Sequence, residues 1–236
     1  MDMESNGRVE PAMEFAPQVS RDTIIGDSIK EGWEAFKSRP GILIGMLVVM
    51  VFLHGIVTAI LNGLFSDNVV VLQTSQQAWY LIANCFTAGY AFAALKIIRG
   101  EEAEFGLLFS GFNKFVPILI GGILFAIGAV LGFVLLIVPG IIISMGWSQW
   151  MLMVMDRNVD GVEALKLSWQ IMNGYKWKYF LMGMLLVLIN VLGALALLIG
   201  LLVTVPLSIA AGSAFYNRLL ALNSLPDKQI EEVLER

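Results

Sequence analysis

The sequence predicts an all-α fold: a polytopic membrane helix bundle with six transmembrane helices in three hairpins, each preceded by a cytoplasmic amphipathic helix. Three observations predict it. The chain is 58% hydrophobic and only 14% charged, against roughly 45–50% and about 25% for an ordinary soluble domain. Its apolar residues are gathered into runs long enough to cross a bilayer, which takes about 20 residues at about 1.5 Å each. Finally, all 15 Lys and Arg fall in alternate connections between these runs.

The chain begins with a polar stretch, 1–20, that holds Asp2, Glu4, Glu10, Glu14, Pro11 and Pro17. A signal peptide would set a short apolar core behind a basic start, so this stretch reads as a disordered cytoplasmic tail. The membrane domain is expected over 21–223, with a second short tail at 224–236. The spans are expected near 41–64, 78–98, 115–138, 141–155, 177–202 and 205–222. Pro139-Gly140 and Pro206 mark tight joints between spans three and four and between five and six, because proline stops one helix and starts the next.

The basic residues test this map. Arg8, Arg21, Lys30, Lys37 and Arg39 precede the first span. Lys96, Arg99 and Lys114 lie between spans two and three. Arg157, Lys166, Lys176 and Lys178 lie between four and five, and Arg218, Lys228 and Arg236 follow the sixth. The other connections hold none. Lys and Arg mark the cytoplasmic side, so both termini are expected in the cytoplasm.

Each odd-numbered span follows an apolar stripe at helical spacing. The stripes are Ile25/Ile29/Trp33/Phe36, then Phe105/Leu108/Phe109/Phe112, then Val162/Leu165/Trp169/Met172. The third opens with Asp160-x-x-Glu163, which resembles a capping box. Such helices either lie on the cytoplasmic leaflet or pack on the end of the bundle, and both can hold at once. The three stripes suggest a repeated unit of amphipathic helix plus hairpin. Ile29-Lys30-Glu31-Gly32-Trp33 echoes Leu165-Lys166-Leu167-Ser168-Trp169, and Gly45-Met46-Leu47 echoes Gly183-Met184-Leu185. Parallel repeats of this kind occur in transporters.

Ionisable groups within a membrane are costly and usually functional. Here only His54 and Cys85 lie deep in a span, which argues against a carboxylate ion relay. Four polar side chains fall near mid-span: His54, Asn84, Gln149 and Asn190. They serve either as interhelical hydrogen bonds, worth about 0.6 kcal/mol each on average, or as a shared midplane site for a small or lipid-like ligand. One His among amides is a poor metal set, and a lone buried cysteine reads as packing rather than as a nucleophile beside His54. Pairs such as Gly89/Ala93 and Gly128/Gly132 offer close helix contacts, within the chain or in a homo-oligomer. Tyr175, Lys176, Trp177 and Lys178 form an aromatic and basic cluster suited to anchoring at the interface, where anionic lipid headgroups would meet it.

One stretch carries a family resemblance. Its residues are Leu108-Phe109-Ser110-Gly111-Phe112, Leu136-Ile137-Val138-Pro139-Gly140-Ile141-Ile142, Glu163-Ala164-Leu165-Lys166-Leu167-Ser168-Trp169, Asn173-Gly174 and Phe215-Tyr216-Asn217-Arg218-Leu219. In this order, Gly100 to Leu219 resembles an uncharacterised family of bacterial multi-pass membrane proteins. It is also similar to the membrane domain attached to some glycerophosphodiester phosphodiesterases. The resemblance implies a helical bundle in a bacterial inner membrane and brings no activity with it, since the chain has no polar α/β segment for the hydrolase. The expected role is a non-enzymatic envelope module that needs no cofactor and contacts lipid or a membrane protein partner. The alternative is a transporter or exporter of a small apolar or amphiphilic molecule. No basic patch points to nucleic acid.

Overall fold

The computed structural model describes residues 21–196 and 198–223. The two stretches read as tails, 1–20 and 224–236, lie outside the described residues. The described part is built from nine α-helices and one 3₁₀ segment.

Helix α1 (Ile24–Ser38) ends at Arg39, whose backbone leaves the helical region at φ −138°. The cause is the next residue: Pro40 disfavours helical backbone in the residue before it, yet suits the first position of α2 (Pro40–Phe65). α3 spans Val69–Ile98 and is capped by the Asn68 side chain, which accepts from the Val71 N–H at 3.1 Å. The polar stretch 66–77, expected as a loop, is therefore mostly two further turns of α3. At its other end α3 closes with Gly100 at φ +74°, a conformation that favours glycine.

The second amphipathic stripe is a 3₁₀ segment, Phe105–Lys114, that runs straight into α4 (Phe115–Leu135). The expected joint at Pro139 lies three residues earlier, at the extended Leu136, and Pro139 sits in the first turn of α5 (Ile137–Gly146), where its missing N–H has no partner to lose. The fourth expected span is not one helix. It breaks at Trp147–Gln149 and resumes as α6 (Trp150–Arg157). Ser168 heals the break by donating to the Gly146 carbonyl (2.9 Å) and accepting from the Gln149 N–H (3.1 Å), because freed backbone groups at this depth need partners.

Asn158, in left-handed backbone, turns the chain into α7 (Gly161–Ile171). Asp160 caps α7 by accepting from the Val162 and Glu163 N–H groups. α8 covers Lys176–Leu195 and α9 covers Leu201–Asn223. Their joint is 196–200, not Pro206, which lies inside α9. At this joint Gly200 packs so closely on Gly193 that a side chain at either would meet backbone or Thr204.

Five stretches are long and apolar enough to cross a membrane: Pro40–Phe65, Val69–Ile98, Phe105–Leu135, Ile137–Arg157 and Lys176–Leu195. This is compatible with a multi-pass membrane protein. α9, where the sixth span was expected, is long enough but carries Pro206, Asn217 and Arg218 and is less apolar. It also buries more residues than any other helix, and its neighbours are α1, α2, α3, α7 and α8. A helix surrounded by protein needs less apolar surface than one surrounded by lipid. The outward faces are the reverse: Val48, Val51, Phe52, Ile56, Ile60 and Leu64 form an exposed stripe on α2, which would aggregate in water but suits acyl chains.

The amphipathic elements are packed rather than free. α1 buries Ile24, Ser28, Gly32, Ala35 and Phe36; of the expected stripe Phe36 is buried, Ile25 and Ile29 are half-buried against the core, and Trp33 stays exposed. Gly32 lies directly on the backbone of Ala211 in α9, where an added Cβ would stand 2.6 Å from a backbone nitrogen. α7 likewise buries Ala164, Leu165, Leu167, Ser168 and Ile171 and leaves Val162 and Trp169 exposed. Gly111 of the 3₁₀ segment packs against the Cys85 carbonyl of α3.

The 3₁₀ segment packs on α3, α7 on α4 and α6, and α1 on α9. Of the long helices, α4 also packs on α3 and α2 on α9, whereas α8 meets α5 rather than α6.

Candidate functional site

A cleft of about 990 Å³ lies between α2–α3 on one side and α4–α6 on the other. It exists because α2 packs on α3 and α9 but has no extensive contact with α4 or α5. Its rim residues Val51, Tyr80 and Ile127 are each more than half exposed, so the cleft opens sideways onto the outer surface of the bundle. Its body is apolar, with Leu47, Met50, Phe86, Phe125, Ala126 and Met151. The volume is at the top of the roughly 300–1,000 Å³ range of small-molecule sites, and apolar walls with a few polar groups are their usual make-up.

Its polar groups come from both walls: His54, Gln77, Asn84 and Thr87 on α2–α3, and Ser144 and Ser148 on the α5–α6 side. His54 Nδ1 accepts a hydrogen bond from Trp79 Nε1 at 2.9 Å, and the imidazole also lies 5.5 Å from the Tyr80 ring. Because Nδ1 is the acceptor, the neutral ring carries its proton on Nε2. Among the described residues that Nε2–H has no protein partner. Asn84, one turn along α3 from Tyr80, also lines the cleft, and its amide has no protein partner among the described residues.

The four mid-span polar residues therefore do not share one site. His54 and Asn84 line the cleft. Gln149 is buried in the break between α5 and α6, where its amide reaches the Ser148 hydroxyl and its side chain bonds the Tyr179 hydroxyl. Asn190 joins α8 to α9 by donating to Ser208 Oγ at 2.8 Å. Cys85 is fully buried against the 3₁₀ segment, outside the cleft lining, so it and His54 are not brought together. Among the described residues no three His, Cys, Asp or Glu side chains gather as a metal set would.

The expected headgroup anchor divides as well. Tyr175 is buried, and the Lys176 ammonium lies 3.1 Å from the centre of the Trp169 ring. Lys178 donates to the Arg21 carbonyl at 2.6 Å. Only Trp177 of the four projects outward with most of its side chain free.

A charged cluster forms a second feature, at the opposite end from the α2–α3 turn. Arg99, just past α3, makes a two-point hydrogen bond to Asp156 near the end of α6, and its Nε donates to Asn217 of α9 at 3.0 Å. Asp156 also accepts from the Tyr216 hydroxyl at 2.8 Å. Burial acts to lower the Arg99 pKa, but hydrogen bonding and charge pairing with Asp156 reverse this and raise it, so the guanidinium is charged at every ordinary pH. Nearby, Arg218 donates to Asp27 (3.1 Å) and Glu31 (2.6 Å) of α1.

Reading the sequence missed this cluster by counting Arg99, Arg157 and Arg218 only as markers of sidedness. The usable signal was position: each arginine stands at the C-terminal end of the last helix of its unit. Arg157 and Arg218 follow polar residues, in Asp156-Arg157 and Asn217-Arg218. Comparison of the chain with protein-family models, with curated proteins and with solved structures finds no match to any of them.

Proposed function

We propose that this chain is a non-enzymatic bacterial inner-membrane protein that holds a lipid-like amphiphile in the cleft between α2–α3 and α4–α6. In this reading α9 is a sixth span, both termini are cytoplasmic, and the charged cluster lies at the cytoplasmic end. The likeness of 100–219 to the membrane domain of some glycerophosphodiester phosphodiesterases belongs to the same proposal and brings no hydrolysis with it. The observation that carries the reading is the cleft itself, apolar in its depth, open sideways, with the His54 Nε2–H and the Asn84 amide in its wall lacking protein partners among the described residues. Groups facing lipid or a dry core without partners are costly, and a bound amphiphile would satisfy them.

Native mass spectrometry of the gently solubilised protein tests it. The expected result is a defined co-purifying lipid, weakened or displaced by Ala126→Trp, which sets a bulky ring into the cleft wall. Bulk lipid alone, unchanged by that substitution, would end the lipid-holding reading and turn the search toward a membrane protein partner or a second copy.

Transport of the amphiphile is the second reading. The break at Trp147–Gln149 favours it, because Ser148 and Trp150 line the cleft and interrupted helices at mid-membrane mark transporter binding sites. Its test is transfer of a fluorescent amphiphile between vesicles. A rate no faster than in protein-free vesicles would remove it while leaving lipid holding intact.

A further inference from the structure

We infer that one face of α3 is a water-filled polar lane, open from the α2–α3 turn down to Asn84 and Thr87, that receives the uncharged polar head of the bound amphiphile. The hydrated lane stands on its own observations; the head it takes rests on the lipid-holding reading.

The sequence of α3 sets the lane. Gln73, Gln76, Gln77, Tyr80, Asn84 and Thr87 recur at helical spacing. At 3.6 residues per turn they share about 100° of arc and run for about 21 Å along the helix. This face borders two adjoining hollows. Gln73, Gln76, Gln77 and Tyr80 line a shallow one near the turn, and Gln77, Tyr80, Asn84 and Thr87 line the cleft.

The lane lies inside the apolar layer. Gln76 donates to Asn62 of α2 at 3.3 Å, which sets the two helices level there. On either side of that level Ile60 and Leu64 of α2 are exposed, as are Val69 and Val70 of α3 nearer the turn. Polar side chains within a span face the bundle interior or a water-filled cavity. Gln73, Gln77 and Asn84 have no protein hydrogen-bond partner among the described residues. Dry, unpaired amides are costly, and water satisfies both their donors and their acceptors. Beyond Thr87 the same face continues as Ala91, Ala94 and Leu95. Ala94 and Leu95 are fully buried, and the Ala91 carbonyl accepts from Ser213 of α9, so the lane ends there.

The lining selects the head. No Asp, Glu, Lys or Arg lines either hollow, and the facing wall adds Ser144 and Ser148. An ion at this depth would lack a counter-charge. Amides and hydroxyls donate and accept alike, which suits an uncharged, hydroxyl-rich head whose chain rests on Met50, Phe86 and Met151.

Spin labels on single cysteines in the Cys85→Ala full chain test both parts in liposomes. Collisions with an uncharged, water-soluble nickel chelate report water, and collisions with oxygen report lipid. Labels at Gln73→Cys, Gln77→Cys and Asn84→Cys should favour nickel. A label at Ile82→Cys, exposed on another face of α3, should favour oxygen, and one at Ala91→Cys should meet little of either. Thermal melts would show that each variant folds, and three lane positions keep the test open if one does not. Oxygen preference at all three, as at Ile82, would overturn the lane. Decyl glucoside, decyl phosphate and decyltrimethylammonium, each below its micellar concentration, then probe the head. Decyl glucoside alone should abolish most nickel collisions at Asn84→Cys. Equal protection by all three would overturn the head assignment and leave lipid holding standing. Protection by none, with nickel preference kept, would overturn lipid holding and the head assignment together and leave the hydrated lane.

Discussion

Removing the Asp156 carboxylate would leave the partly exposed Arg99 guanidinium without its main partner. Asp156→Ala takes away both hydrogen bonds to Arg99 and the acceptor of the Tyr216 hydroxyl. The Asp156 side chain is 8% exposed and that of Arg99 28%. Breaking a fully buried pair from one side costs about 3–5 kcal/mol. Partial exposure of Arg99 and its remaining bond to Asn217 reduce this to about 2–3 kcal/mol. At about 2–4 °C per kcal/mol for a chain of this size, the melting temperature should fall by about 4–12 °C. Tryptophan fluorescence during heating in mild detergent is the assay. Lys166→Ala is the control, since its contact to Glu163 is 3.8 Å and Lys166 is 66% exposed; such a pair is worth at most about 1 kcal/mol. Asp156→Asn, which keeps an acceptor, should fall between the two. If Asp156→Ala melted with the control, the cluster would be an incidental surface feature and the reasoning would fail.

Gly32→Leu should force α1 off the Ala211 backbone and cost about 1–3 kcal/mol, read as a lower melting temperature with no gain on adding lipid. Tyr90→Phe removes a buried hydroxyl bond to the Leu43 carbonyl (2.9 Å) that ties α3 to α2; a loss of about 1 kcal/mol, seen by the same melt, is expected. Cys85 is fully enclosed, so a membrane-permeant maleimide should leave it unmodified until the protein is denatured. Single cysteines at Gly100 and Asp67, in a Cys85→Ala background, should react with impermeant label from opposite sides of sealed vesicles. Labelling of both from one side would contradict the antiparallel arrangement of α2 and α3 and the proposed sidedness.

Much of the fold was legible because hydropathy and charge act over whole segments. The long apolar runs could be recognised from the length a bilayer requires, and the alternation of Lys and Arg fixed which turns belong together. Asp160 as the cap of α7 was legible for a local reason, an acceptor two and three residues ahead of free N–H groups. Boundaries were less legible. Pro139 and Pro206 were read as joints, yet each lies inside a helix, because proline is tolerated near a helix start and does not specify where the chain turns. The break at Trp147–Gln149 depends on Ser168, 19 residues beyond Gln149, and no local pattern reports it. For α1 and α7 the stripes left two places open, on the leaflet or on the end of the bundle. Both helices press small residues onto their neighbours, bury Phe36, Leu165 and Met172 from the stripes, and leave Trp33 and Trp169 outside. Of the candidate site, His54 and Asn84 were found as polar residues in costly surroundings. Their separation from Gln149 and Asn190 depends on helix rotation, which composition does not fix.

Grouped along the chain as α1–α3, the 3₁₀ segment with α4–α6, and α7–α9, the helices meet along three seams, and how well the amphipathic elements cover each seam accounts for where the cleft lies. Between the third unit and the first the seal is tight: α1 is a full helix, Gly32 lets it reach the α9 backbone, and Arg218 holds it through Asp27 and Glu31. Between the first and second units the sealing element is the 3₁₀ segment, which runs along α3 beside Gly89 and Cys85 and gives α2 little to rest on. That seam opens into the cleft of about 990 Å³. The seam between the second and third units is intermediate, a space of about 390 Å³ among Met145, Tyr179, Ser208 and their neighbours. Seams covered to unequal extents thus leave a large lateral opening. The charged cluster ties α3, α6 and α9 together at the end opposite the α2–α3 turn, so the cleft lies beside a joined end of the bundle.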